Sequence, residues 1–197
     1  FGESRTRELA GWAVLDMQIS YVEGNGWGLH RPVEYASTVY ESLHAAGASH
    51  GLRNAGYRAI ETLRLEKGYR AWSSDIGPDH TPDEAGLGWA VKMKSNIAFK
   101  GRQAVQEQRE NGVRKMMATF TCDANIILSG RETIYRNGER CGWLSSAGYG
   151  HTVGKSIGMG YVRSSAAIDK NYVLSGSYEL EVATQRVNAE ITLKPLV

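Results

Sequence analysis

The first hundred residues alternate between two hydrophobic periods. The run VLDMQISYV at 14–22 is rich in β-formers and reads as a strand. A glycine-broken NGWGLH comes next, and residues 29–32 read as a short partner strand ending at Pro32. From Glu34 to Ala46, Tyr35, Val39, Leu43 and Ala46 recur at helical spacing, with Gly47 as the stop. Residues 53–68 give a second amphipathic helix through Ile60, Leu63 and Leu65, ended by Gly68. Gly77, Pro78 and Pro82 punctuate a loop, LGWAVKM at 87–93 alternates as a strand, and 101–110 is a short polar helix. The order β-β-α-α-β-α predicts an α+β layer. The opening FGESRTRELAGW carries no clear start signal for helix or strand, and a chain that begins at Phe1 suggests a cut inside a longer polypeptide.

The pattern changes around Asn111–Gly112. From Arg114 onward the signals are short β-rich runs: MMATFTC, ETIYRNGERCGWL, SIGMGYV, YELEV and VNAEITL. Asn137–Gly138 between two such runs is the strongest hairpin signal in the chain. Many short strands with glycine turns predict a small barrel or sandwich, and a boundary near 109–114.

Composition narrows the classes. The chain has 197 residues, 42% hydrophobic and 22% charged, the mix of an ordinary globular protein. A net charge of +2 is too mild to argue for nucleic acid. No apolar stretch reaches membrane-spanning length. Cys122 and Cys141 lack metal-ligand spacing and read as unpaired thiols of a reducing compartment. None of the five histidines forms an HxxxH pair, so neither a metal site nor a catalytic constellation is assigned.

SAGYGHTVGKSIGMG contains GKS, but Gly150 leaves three residues before it and Gly148 leaves five, where a phosphate-binding loop needs four. Glycine turns in a β-barrel explain the segment better. LRLEKGYRAWSSDI sets Arg64, Lys67 and Arg70 beside Tyr69 and Trp72. Arg64 and Lys67 share a helix face. Aromatics and an arginine suit a flat heterocycle such as a pterin or purine. A solvated helix face followed by a core tryptophan is the simpler reading of the residues alone.

Several blocks, in order and over nearly the whole chain, resemble the aminomethyltransferase (glycine-cleavage T-protein) family. ISYVEGNGWGLHRPVEYASTVYESLHAAG is similar to a family segment, and AGYRAIETLRLEKGYRAWSSDI carries the "LRxEKGYRxW" wording of sarcosine and dimethylglycine dehydrogenases. TPDEAGLGWAVKMKSNIAFKGRQAV, IYRNGERCGWLSSAGYGHTVGKSIGMGYV and TLKPLV resemble later family blocks.

The resemblance implies an α+β fold: a leftover segment over 1–13, a ferredoxin-like folate-binding lobe over 14–110 and a small antiparallel β-barrel over 111–197. It implies tetrahydrofolate as cofactor, with FAD in a missing N-terminal domain of the parent. The parent would be an N-methyl amine dehydrogenase yielding 5,10-methylenetetrahydrofolate, and this piece alone would be inactive, because the family's activating acid lies on an N-terminal half. Carried over residue by residue, Tyr21, Arg64 and Trp72 match pocket positions. The family's pterin-reading pair is inverted here, as Glu23–Gly24, which leaves Gly24 at the glutamate position. Glu23 stays a candidate through a bulge that Gly24 and Gly26 permit. The implied partners are folate and the missing half or flavin domain, with self-association through the face so exposed and no membrane. The implied compartment is the cytoplasm, or the mitochondrial matrix in a eukaryote. A non-catalytic regulatory or folate-binding relative and a stand-alone aminomethyltransferase are the alternatives.

Overall fold

A computed structural model describes residues 2–22 and 24–197. The chain divides into two compact units, the first ending at Ile60 and the second spanning Glu61–Val197.

In the first unit, β1 (Ser4–Leu9), β2 (Trp12–Gln18) and β3 (Trp27–His30) form an antiparallel sheet in that order. Ala10 and Gly11, at φ 53° and 79°, make the tight turn between β1 and β2. β1 was not foreseen, and its composition explains why. SRTREL is polar on both faces and none of its side chains is buried, so it shows no period-two apolar signal. β2 does, with Val14 and Asp16 buried on one face. α1 (Ala36–Gly47) buries Val39. Gly47 is its last residue rather than its stop, and the left-handed turn comes at Gly51, φ 73°. Gly47 is needed for space, since a Cβ there would meet Leu52 at 2.6 Å. α2 (Tyr57–Glu66) begins in this unit and ends in the second; it starts later than expected, and Gly68 follows its end at φ 63°.

In the second unit the predicted strand over 87–93 is absent. Gly88–Ala90 is a single 3-10 turn, with the Leu87 N–H bonded to Pro82 O and the Gly88 carbonyl held by Arg109. The alternating pattern misled because Trp89, one of its apolar positions, is 82% exposed. α3 (Arg102–Asn111) is followed by β4 (Val113–Cys122), β5 (Thr133–Arg136), β6 (Glu139–Gly150), β7 (Lys155–Ile168), α4 (Lys170–Leu174), β8 (Tyr178–Val182) and β9 (Gln185–Thr192). The strands close into an antiparallel barrel in the order β4-β7-β6-β5-β8-β9, so the molecule is α+β with a small barrel, as expected. Residues 110 and 111 end α3, inside this unit.

The barrel interior is filled by Phe120, Ile134, Leu144, Val162 and Leu180. A second cluster, Leu65, Met117, Ile157, Met159 and Tyr161, lies on the other face of β4 and β7. β7 is therefore buried on both faces, without a break from Ser156 to Val162. Its odd positions feed the second cluster. Its even positions include Gly158, where a Cβ would lie 2.4 Å from Leu144 Cδ1. The glycines of SIGMGYV are thus packing positions within a strand, and of the expected turns only Gly154, φ 66°, makes one here.

Candidate functional site

The site is built on the last turn of α2. Arg64 is 1% exposed, and its guanidinium is enclosed by acceptors. Nη1 donates to Asp75 Oδ2 at 2.5 Å and to the Tyr69 carbonyl at 3.1 Å. Nη2 donates to Ser146 Oγ at 2.8 Å and to Glu61, and Nε donates to Glu61 Oε1 at 3.1 Å. Burial opposes the charge, but Glu61 and Asp75 outweigh it and hold the guanidinium above its ordinary value. Asp75, fully buried, also accepts from Ser146 Oγ at 2.7 Å, from Ser145 Oγ, and from the Ala71 N–H at 2.9 Å. Tyr161 Oη donates to the Asp75 carbonyl at 3.0 Å. A buried pair is tolerable only when its remaining lone pairs and protons are satisfied, and these are.

This network ties the turn Ala71–Ile76 to β6 and α2. Within the turn the Asp75 N–H bonds to Ala71 O at 2.9 Å and the Ser73 N–H to Ile76 O at 2.8 Å. Ser73 sits at φ 72°, a conformation that costs a non-glycine residue free energy and persists where its surroundings over-determine it. Trp72, next to it, is 70% exposed. A large indole is therefore held out from the surface on a rigid backbone. Glu66 secures the same helix end. It accepts from the Thr152 N–H at 2.6 Å, Thr152 Oγ1 at 2.8 Å and the Val153 N–H at 3.2 Å, which fixes the β6–β7 turn.

A cleft of 440 Å³ opens in the same unit, lined by Arg70, Trp89, Met116, Met117 and Leu193 among others. Arg70 Nε donates to Ala85 O at 2.8 Å and Nη1 to Gly68 O. Among the described residues Arg70 makes no ion pair, and burial pushes its guanidinium below the ordinary value. Gly86, at φ 70°, leaves room for it: a Cβ there would meet Arg70 Nη2 at 2.7 Å.

Of the sequence candidates, Tyr21 is 45% exposed in the first unit, and Arg64 and Trp72 belong to the second. Glu23 lies outside the described residues. Arg64 and Lys67 do not present a shared face, because Arg64 turns inward and spends its donors on the protein. Sequence reasoning missed Asp75 and Ser146 as Arg64's partners, and missed Trp89 altogether. The acidic Asp75 in an aromatic-basic segment was a usable signal, while Ser146 in a distant strand gave none.

Two comparisons define the class of this fold. The crystal structure of glycine cleavage system aminomethyltransferase T from Bartonella henselae superposes with a TM-score of 0.77 at 24% identity, over 93% of this chain and 50% of that one. The GCVT N-terminal domain matches residues 1–95, and the glycine cleavage T-protein C-terminal barrel domain matches 115–197. The chain belongs to the glycine-cleavage T-protein family. It is 40% identical over 196 residues to human mitochondrial sarcosine dehydrogenase, covering 98% of this chain and 21% of that protein. It is 32% identical over 192 residues to the mouse mitochondrial pyruvate dehydrogenase phosphatase regulatory subunit, covering 91% of this chain and 22% of that protein. It therefore spans about a fifth of the length of these curated relatives. No helix among the described residues is long and apolar enough to cross a membrane.

Proposed function

We propose that this chain is the folate-binding lobe and barrel of a tetrahydrofolate-dependent one-carbon enzyme of the N-methyl amine dehydrogenase kind, acting on sarcosine or dimethylglycine. The observation that carries this reading is Trp72, 70% exposed on a turn whose backbone is anchored by a fully buried carboxylate. A rigid exposed indole is a stacking surface for a flat heterocycle. The cleft of 440 Å³ falls in the size range of small-molecule sites, and Arg70 and Trp89 give it a cationic edge and an aromatic wall. These features fit a pterin with an attached carboxylate tail. Bound tetrahydrofolate would supply the nitrogens that accept the one-carbon unit, and FAD elsewhere in the polypeptide would oxidise the amine.

In this reading the chain's own residues bind and orient. Trp72 stacks on the ring, and Arg70 meets the carboxylate. Arg64 acts by holding the turn. The working compartment is the cytoplasm, or the mitochondrial matrix of a eukaryote, with the flavin domain as partner.

The test uses the longest polypeptide that carries this chain, turning over an N-methyl amine with and without tetrahydrofolate. The expected result is 5,10-methylenetetrahydrofolate in place of free formaldehyde. Trp72→Ala should return the formaldehyde while amine oxidation continues. Formaldehyde release indifferent to tetrahydrofolate in the unaltered protein overturns the proposal.

The likeness to a phosphatase regulatory subunit, together with Gly24 at the family's glutamate position, favours a second reading as a non-catalytic regulatory module. The same assay separates the two, since a regulatory module oxidises no amine.

A further inference from the structure

A second cleft, of 450 Å³, lies at the hairpin end of β5 and β6 and is lined by Arg136, Arg140 and Arg163 together with Cys141, Ser164 and Ser165. Among the described residues none of these arginines is ion-paired. Glu139, on the same lining, pairs with none of them. Three arginines on one lining, none of them ion-paired, leave positive charge there that a bound anion would offset.

The guanidinium planes are set in advance. Arg136 lies over the Tyr172 ring at 3.9 Å to the centroid, with Nη2 donating to the Tyr172 carbonyl at 2.8 Å. Arg163 lies over the Trp143 ring at 4.4 Å. Stacking uses the face of a guanidinium and leaves its in-plane N–H edge for an acceptor. The Nε atoms of both are buried and have no hydrogen-bond partner among the described residues. Gly176 keeps space for this arrangement, because a Cβ there would fall 2.6 Å from Arg136 Nε. Neutral donors complete the lining. Asn137 accepts the Ser177 N–H through Oδ1 at 2.9 Å, which leaves its amide NH₂ to donate, and Ser164 Oγ accepts from Ala166 N and retains its hydroxyl proton.

We propose that this cleft binds a dianionic phosphate group, free or carried as a monoester on a small molecule. A planar carboxylate is satisfied by one guanidinium fork. Three guanidinium groups from separate backbone positions suit the several oxygens of a tetrahedral dianion, and the volume has room for more than the phosphate alone. The cleft is made from β5, β6, β7 and α4 and shares no lining residue with the cleft at Arg70, so this proposal is independent of the folate reading.

The experiment is amide NMR of the full chain, titrated with inorganic phosphate and with ribose 5-phosphate at constant ionic strength held by chloride. Saturable shifts confined to 136–141 and 163–165 are expected, with binding weakened at least about tenfold by Arg140→Gln. That substitution removes no hydrogen bond or ion pair within the described residues, so the fold should persist. Arg163→Lys, which keeps the charge and loses the planar fork, should weaken binding as well. Tighter binding of the ester identifies a small phosphomonoester as ligand, and equal binding identifies free phosphate; either outcome supports the site. Shifts spread over basic residues generally, or an unchanged affinity in Arg140→Gln, overturn it.

Discussion

Arg64 shows how far a side chain's task depends on where its partners fall. An arginine beside aromatics reads as a ligand contact, but here the guanidinium is 1% exposed and paired with a carboxylate that is wholly buried. Removing one member leaves the other charged and stranded, which costs about 3–5 kcal/mol. Arg64→Ala is therefore expected to lower the unfolding free energy in urea by about that amount. By contrast, Glu3→Ala breaks a pair whose side chains are both 63% exposed and should change it by less than about 1 kcal/mol. Equal effects of the two substitutions would contradict this assignment. The sequence marks Arg64, Asp75 and Trp72 as one charged and aromatic segment. It contains nothing that joins Arg64 to Ser146 in β6, because that proximity is made by barrel closure.

The thiols add a pH dependence. Burial pushes Cys122 and Cys141 up to about 11 from an ordinary value of 9.0; for Cys141 the Arg163 N–H and Arg136 oppose the shift without cancelling it. The folded chain thus holds these protons more tightly than the unfolded chain. Their contribution to stability is complete below about pH 9 and is lost as pH rises through about 11. Urea midpoints should fall across that window in the native chain and fall less in Cys122→Ala/Cys141→Ala. An identical pH profile in both proteins would show that the thiols are not the cause.

At the scale of elements, legibility followed the strength of the local pattern. α1 and the barrel strands were readable because their apolar period or turn chemistry is strong. Asn137 and Gly138, both at positive φ (53° and 84°), form the tight hairpin turn that their residue types announce. β1 was invisible because a strand buried on neither face has no amphipathic signature. The 87–93 segment was misread because Trp89 supplied an apolar beat and then stayed at the surface. β7 carries the clearest packing consequence. Gly158→Ala places a methyl group against Leu144 inside a filled barrel, and overpacking of this kind costs about 1–3 kcal/mol. Gly138→Ala forces a side chain into the left-handed region at a cost of about 1–2 kcal/mol. Both are measurable as shifts in the urea midpoint, and a Gly158→Ala protein as stable as the native one would show that the barrel interior has slack.

At the scale of the whole molecule, the two units differ in how much they bury. The first buries Val14, Val22 and Val39, whereas the second holds a continuous barrel core and a further cluster over β4 and β7. Amide hydrogen exchange should therefore be slower in β4, β6 and β7 than in β1–β3, since opening free energies follow buried apolar contact. Matching protection in both units would argue against independent stabilities. The family was legible in the sequence because its blocks recur in order along the chain. The arrangement that presents Trp72 was not, because it rests on hydrogen bonds between segments distant in sequence.

The most direct measurement is calorimetric titration of the full chain with folinic acid, repeated with Trp72→Ala after circular dichroism has confirmed an unchanged fold. Saturable binding weakened about tenfold or more by the substitution is expected, because stacking on one ring contributes about 1–3 kcal/mol. Binding of equal strength in both proteins, or none in the native chain, would contradict the assignment of Trp72 as the surface on which a folate rests.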